Sequence, residues 1–450
     1  MSDSPSPTLI DRSSPKDDRK PAVPKGVVQE SPTLSFPVNY LRFAWEFLVL
    51  VAVLPYHLVK FSLFPSTRWR RSWTLIEAVS VPAVKRIMGA MDLCGFKIST
   101  RDVFVEPWNS WPLRLRDVQF EWVEKIPDDL VGGVLDDEWV SQRDRVGMFS
   151  WRRSDAKAKG QGQGKGGLGE GEDLVGLFFH GGAYNHNSAH PSSPSSDIVK
   201  TLFKREPRFS SIHTVEYRLL PWYPFPGALQ DVAAAYVSLL RRGVKGHQIV
   251  LIGDSSGGHL ALALCRWVID TIKSGKGDVR EEPHPGKNGE KMQWQLEKPA
   301  ALMLFSPWTD PSHSFLDSTP ETYVPRRNSC DYLFEVGAFR HHIVNGLLGS
   351  HEKEFVLSPY VSPGAPSQDP SIFEGFPPCF VHFGTGERCM DESIRLVEKL
   401  KAAGIRTEVV VTEDTPHDLM LLAMIWKKSQ IEQVWDGALK FVASINVRKE

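Results

Sequence analysis

The sequence has almost no net charge and few cysteines. Its 53 Lys and Arg residues nearly balance 54 Asp and Glu residues, which leaves a formal charge of −1. A nucleic-acid-binding protein usually carries a basic surplus, so we expect no nucleic-acid partner. Five cysteines are scattered over 450 residues without a C-x-x-C pair. This spacing argues against a disulfide framework and against a structural zinc site.

Signals for secretion are also lacking. The sequence contains no N-x-S/T sequon, and its first 35 residues are polar, so we expect no cleavable signal peptide and no secretion. Seven Pro and seven Ser fall within residues 1–37, and this composition predicts a disordered tail. The hydrophobic content of 41% nevertheless predicts a core of ordinary size.

One long apolar run is present, at residues 41–64. Only 17 residues separate Arg42 from Lys60, and one of them is a carboxylate. A membrane-spanning helix needs about 20 mostly apolar residues. The run therefore fits a spanning helix, a membrane-surface anchor or a cap over a pocket, and the sequence leaves all three open. If it spans, the basic residues from Lys60 to Arg71 place the following domain in the cytoplasm.

The remaining chain divides by its pattern into two further regions. Residues 38–100 form a hydrophobic N-terminal region, in which Pro82 predicts one or two short amphipathic helices. Residues 101–450 alternate short apolar strands with helical runs, which predicts an α/β domain with a mostly parallel central sheet flanked by helices. Two stretches rich in Gly and charged residues, 155–173 and 274–291, predict flexible surface inserts.

A nucleophile turn is predicted at Gly253–Gly258. The predicted strand Gln248–Ile252 enters G-x-S-x-G directly, and a predicted helix follows. Only Ser255 has glycine both two residues before and two residues after it, so Ser255 rather than Ser256 is the candidate nucleophile. The tight turn lifts its hydroxyl above the sheet, and the amides at the start of the helix point towards developing negative charge.

A second glycine loop follows the predicted strand Leu174–Phe179. It reads H-G-G-A-Y, and glycines there let backbone N–H groups approach the oxyanion of a tetrahedral intermediate. The predicted oxyanion donors are the amides of Gly181, Gly182 and Ser256. We expect His180 and Tyr184 to support this loop.

The general base and its acid are expected after the last two strands. His417 lies in the loop that follows strand Thr407–Thr412, which fits the chain order serine, acid, histidine. The loop after the preceding strand offers Glu387, and Asp391 begins the next helix. We favour Glu387 as the acid and keep Asp391 as the alternative, because carboxylates in a first helical turn also suit the helix dipole.

Together these motifs resemble those of the hormone-sensitive-lipase-like group of α/β-hydrolases, over residues 174–440. The matching segments are His180–Tyr184, Tyr217–Pro221, Gly253–Gly258, Gly384–Glu392 and His417. Three positions depart from the family pattern: Glu387 stands for Asp, Ser256 for Ala and Ala183 for a third glycine. The resemblance implies an α/β-hydrolase fold with an N-terminal helical cap or anchor.

The resemblance also implies hydrolysis of short or medium acyl esters and acetylated lipophiles. Fungal steryl acetyl hydrolases, which have a hydrophobic segment before the catalytic domain, look similar too. This implies either a membrane location, with the endoplasmic reticulum as one candidate, or the cytoplasm. The triad alone is also compatible with an arylformamidase or another amide-type hydrolase, and the fold with a non-catalytic ligand receptor. We expect a small acyl ester as substrate, and no metal or organic cofactor.

Overall fold

A computed structural model of the protein describes residues 34–101, 103, 118–153, 173–283, 291–315, 330–333 and 338–447. Most of the predicted tail at 1–37 and all but the last residue of the predicted insert at 155–173 lie outside these ranges. Residues 34–37 are described, and the amide of Leu34 donates to the carbonyl of Leu93. The end of the predicted tail is therefore attached to the folded protein.

Strands and helices alternate along the described chain, as the pattern of the sequence predicts. The strands are β1 (Val118–Glu124), β2 (Arg145–Arg152), β3 (Leu174–Phe179), β4 (Phe209–Glu216), β5 (Ile249–Asp254), β6 (Arg280–Pro283), β7 (Lys291–Trp294), β8 (Ala301–Phe305), β9 (Cys379–Gly384) and β10 (Thr407–Thr412). The main helices are α1 (Val38–Leu63), α2 (Leu75–Cys94), α3 (Ser196–Arg205), α4 (Gly227–Arg241), α5 (Ser256–Lys273), α6 (Pro311–Phe315), α7 (Ala338–Leu348), α8 (Met390–Ala402) and α9 (Lys428–Ala443).

Eight of these strands form one sheet in the order β1-β2-β4-β3-β5-β8-β9-β10. Strand β2 pairs antiparallel with both β1 and β4, and the remaining neighbours in this sheet, from β4 through β3, β5, β8 and β9 to β10, pair in parallel. The central strands β3, β5 and β8 are buried along their whole length, because helices cover both faces of the sheet. The carboxyl ends of the parallel strands share one edge, so the loops that follow them meet there.

The N-terminal region is a helical hairpin of α1 and α2. Helix α2 runs unbroken through Pro82, so of the two predicted alternatives, one helix or two, the structure has one. A capping box of Thr74 and Glu77 starts the helix, and Gly95 in the left-handed conformation ends it. Proline removes one backbone hydrogen bond, but the neighbours Val79 and Val81 are buried against the domain, and this packing keeps the helix intact.

The second predicted insert, at 274–291, is only partly a loop. Its last described residues before 284–290 form β6, which pairs antiparallel with β7. Trp294 of β7 is buried and contacts the guanidinium groups of Arg241 and Arg280. This contact anchors the β6–β7 hairpin to the protein. A composition rich in glycine and charged residues does not predict such a hairpin.

A buried ion-pair network fixes the segment after β4 to α4. Arg218 and Arg143 both contact the carboxylate of Asp231, at 3.1 Å and 3.2 Å, and all three side chains are buried. Arg218 also donates to the carbonyls of Ser141 and Gly227. Removal of one partner would therefore leave an uncompensated buried charge.

We expect Asp231→Ala to destabilise the protein by about 3–5 kcal/mol, because two guanidinium groups lose their buried counter-charge. The free energy of unfolding in urea measures this effect. The matched control is Asp197→Ala, which removes an exposed ion pair with Lys200 and should leave stability unchanged. Similar losses in the two variants would contradict the assigned role of burial.

Candidate active site

Ser255 occupies the sharp turn between β5 and α5. Its φ of 52° and ψ of −119° lie outside the helical and strand regions. The turn is held because the amide of Ser255 donates to the carbonyl of Phe305 at 2.9 Å. A Cβ on Gly257 would lie 2.0 Å from the carbonyl oxygen of Phe179, and one on Gly253 would lie 2.3 Å from Gly257. Both glycines are therefore required by packing.

The structure brings Ser255, His417 and Glu387 together in one hydrogen-bonded chain. His417 Nε2 lies 2.8 Å from Ser255 Oγ, and His417 Nδ1 lies 3.2 Å from Glu387 Oε2. The side chains of His417 and Glu387 are buried. Asp391, the alternative acid, is exposed in the first turn of α8. The carboxylate that contacts His417 is thus that of Glu387.

The Glu387 carboxylate is buried but well supplied with donors. The amide of Gly384 donates to Oε1 at 3.2 Å, and the Ser306 hydroxyl, which accepts from the Asp418 amide at 3.1 Å, also donates to the carboxylate. Burial is the largest influence and raises the pKa of Glu387 to about 8. When Glu387 is ionised, its buried carboxylate favours a positive charge on the adjacent imidazole, which helps His417 to accept a proton from Ser255.

The oxyanion loop differs from the sequence prediction at Gly181. Its amide donates to Asp254 Oδ1 at 3.0 Å and is therefore already engaged. The amides of Gly182, Ala183 and Ser256 have no acceptor among the described residues. Gly182 has a φ of +111°, and a Cβ there would lie 2.6 Å from the carbonyl oxygen of His186. The loop amides that are available as donors are therefore those of Gly182 and Ala183, one residue later in the chain than the predicted pair, Gly181 and Gly182.

Two buried histidines brace this loop without facing the nucleophile. The His180 ring stacks on Tyr217 at 4.3 Å, and its Nδ1 donates to the carbonyl of Gly181. Tyr184 donates to His259 Nδ1 at 2.5 Å, and His259 Nε2 donates to the carbonyl of Val361. Burial lowers the pKa of both histidines to about 4, so both are neutral near pH 7.

Three buried aspartates near the triad escaped the sequence analysis. Asp331 accepts hydrogen bonds from the amides of His417, at 3.3 Å, and Arg388, at 2.6 Å. Asp254 and Asp418 are the immediate neighbours of Ser255 and His417 in the chain, and both are buried. Asp254 lies inside the Gly253–Gly258 motif and Asp418 directly follows His417, whereas no motif contains Asp331.

Comparison with known proteins agrees with this fold. The model of a family described as having the α/β-hydrolase fold matches residues 176–421. The esterase LipU of Mycobacterium tuberculosis is 27% identical over 253 residues, which cover 55% of this chain and 70% of LipU. The carboxylesterase/phospholipase LipF of the same organism is 30% identical over 254 residues, which cover 55% of this chain and 56% of LipF.

A crystal structure of a hormone-sensitive lipase from a metagenome library is also similar. It has 24% sequence identity and a TM-score of 0.48, and the match covers 67% of this chain and 82% of that one. The family match and the two curated relatives confirm the predicted fold and the resemblance to hormone-sensitive-lipase-like hydrolases.

We expect Glu387→Gln to lower kcat for p-nitrophenyl acetate by about 10⁴-fold, because an amide cannot hold the required imidazole tautomer. A circular dichroism melt of each variant checks its folding. Asp391→Asn serves as the control and should leave kcat unchanged, since Asp391 is exposed. The opposite pattern, with the loss at Asp391, would make Asp391 the acid.

Proposed function

The chain belongs to the α/β-hydrolase family, and on this premise we propose that it hydrolyses carboxylic esters with Ser255 as nucleophile, His417 as general base and Glu387 as the supporting acid. The observation that carries the proposal is the chain of hydrogen bonds from Ser255 Oγ through His417 to Glu387, at 2.8 Å and 3.2 Å. The esterase relatives support the same reaction class.

Acylation begins when Ser255 Oγ attacks the acyl carbon and His417 Nε2 takes the hydroxyl proton. The resulting oxyanion is bound by the amides of Gly182 and Ser256, with the Ala183 amide as a third donor. His417 then passes its proton to the leaving alcohol. In deacylation, water attacks the acyl-enzyme, its proton goes to His417 and then to Ser255, and the carboxylic acid leaves. Glu387 stabilises the imidazolium of His417 in both acylation and deacylation.

We expect Ser255→Ala to abolish turnover of p-nitrophenyl acetate and labelling by a fluorophosphonate probe, because both need the Ser255 hydroxyl. Ser256→Ala is the matched control, since its role as a donor uses only the backbone amide; it should keep labelling and most of the turnover. Labelling that persists in Ser255→Ala would contradict the assigned nucleophile. A panel of acetyl, butyryl and sterol-acetate esters then gives the acyl and alcohol preference.

We also propose that α1 contacts a membrane through residues 41–64. The helix is long and apolar enough to cross a bilayer, with a mean hydropathy of 1.6 in its most apolar part. Its outward face carries large apolar side chains that are more than half exposed, among them Leu41, Trp45, Phe47, Leu48 and Val51. Exposed apolar area of this extent is typical of a surface that binds lipid or protein.

The packing of α1 favours a helix that lies along the membrane surface. Two of its polar side chains contact α2: Asn39 donates to the carbonyl of Cys94, and Glu46 pairs with Arg86 at 2.5 Å. Near the other end, Phe61 is buried and its carbonyl accepts from Arg68. These contacts hold α1 alongside α2, and on this basis we propose that only the apolar face of α1 enters a lipid leaflet.

We expect the double variant Leu48→Glu, Val51→Glu to lose flotation with phosphatidylcholine–phosphatidylserine vesicles, because charge enters the apolar face. Val279→Glu is the control, since Val279 has the same exposed fraction as Leu48, 62%, outside α1. Turnover of soluble p-nitrophenyl acetate should stay unchanged in all variants. Undiminished flotation of the double variant would contradict the membrane contact.

The orientation has a separate test in membranes. An N-terminal tag on the full chain should be digested by protease on the same side as a C-terminal tag. Protection of the N-terminal tag alone would mean that α1 spans the bilayer.

A further inference from the structure

Asp331 is a buried residue whose carboxylate contacts the backbone of two loops of the site. It lies between β8 and β9 in the chain, and its side chain is fully buried. Its Oδ1 accepts from the amide of His417 at 3.3 Å, and its Oδ2 accepts from the amide of Arg388 at 2.6 Å. Because Arg388 directly follows Glu387, one side chain connects the loop of the proposed acid with the loop of the proposed base.

The two loops are also bonded directly to each other, before the triad side chains are reached. The amide of Gly386 donates to the carbonyl of Thr415 at 3.0 Å. Asp331 connects the loops a second time, at His417 itself and at the residue after Glu387. The acid loop is therefore held on both sides of Glu387, and movement of either loop would change the 3.2 Å contact between Glu387 and His417.

The short segment Cys330–Leu333 orients the Asp331 carboxylate towards these loops. The amide of Leu333 donates to Asp331 Oδ1 at 3.3 Å. The ring of Tyr332 is buried and meets the His417 imidazole in a T-shaped arrangement, with the two ring centroids 6.2 Å apart. The segment therefore contacts His417 twice, at its amide through Asp331 and at its ring through Tyr332.

We propose that Asp331 is a positioning residue for the triad, which sets the separation of Glu387 and His417 by accepting hydrogen bonds from both loops. The proposal rests on the triad proposed above. The contacts of Asp331 with the two loops are made to backbone amides, so it acts through Glu387 and His417. Loss of this bridge should therefore weaken the contact between acid and base without altering either side chain.

A double-mutant cycle with Glu387→Gln tests this role. In Asp331→Ala, kcat for p-nitrophenyl acetate should fall about 100-fold with KM nearly unchanged, because the acid and the base lose their alignment. In the Glu387→Gln background, the same substitution should lower kcat by no more than about threefold, since the contact that Asp331 positions is already impaired. A merely structural role predicts the same factor in both backgrounds.

Asp137→Ala is the matched control. The Asp137 side chain is 6% exposed and accepts from the amides of Trp139 and Val140, each at 2.8 Å, but these amides belong to its own segment of chain. The control should keep the wild-type kcat per folded protein, which circular dichroism determines. Equal factors in the two backgrounds, or an Asp331→Ala variant with wild-type kcat, would overturn the proposal.

Amide hydrogen exchange tests the bridge without reference to catalysis. Asp331→Asn keeps the side-chain volume and one acceptor oxygen, so it should fold even where the Ala variant does not. Its NH2 group faces one of the two amides as a second donor, so exchange at Arg388 or at His417 should become faster. Unchanged exchange at both amides would overturn the proposal. Absence of fluorophosphonate labelling in the wild-type protein would instead refute Ser255 as the nucleophile, which separates failure of the proposed function from failure of the bridge.

Discussion

The steric demand of one turn governs the arrangement of the site. Strand β5 and helix α5 meet at Ser255 so closely that neither Gly253 nor Gly257 leaves room for a Cβ. Because the two elements are so close, Ser255 adopts unusual φ and ψ angles, and its hydroxyl is held at the carboxyl edge of the sheet. Because the neighbouring strands are parallel, their loops end at the same edge, and they bring His417, Glu387 and the oxyanion amides to this hydroxyl.

The interior around this turn contains several acidic groups and few positive charges. His180 and His259 are neutral, and Glu387 accepts hydrogen bonds that offset part of the effect of its burial on its pKa. Asp254 accepts hydrogen bonds from the Gly181 amide and the Ser195 hydroxyl. A positive charge that develops on His417 therefore meets an environment that is short of positive charge, which is the condition that a general base needs.

The N-terminal hairpin is part of the site as well as a candidate membrane contact. Before α2, Ser72 and Trp73 donate to Asp414 on the loop that carries His417, each at 2.6 Å. Near the other end of α2, Asp92 contacts His186 beside the oxyanion loop at 3.0 Å. The hairpin thus connects the base loop with the oxyanion loop, and α2 borders the loops that carry the proposed catalytic groups.

The sequence alone determined the α/β alternation and pointed to the proposed nucleophile and base, because strand period, helix period and the G-x-S-x-G turn are set by local sterics. It narrowed the acid to Glu387 or Asp391, and only the fold decided which carboxylate reaches His417. The hydrogen bond from the Gly181 amide to Asp254 and the one from the His417 amide to Asp331 came from the tertiary structure alone. These depend on contacts between distant segments, which the local pattern of residues does not contain.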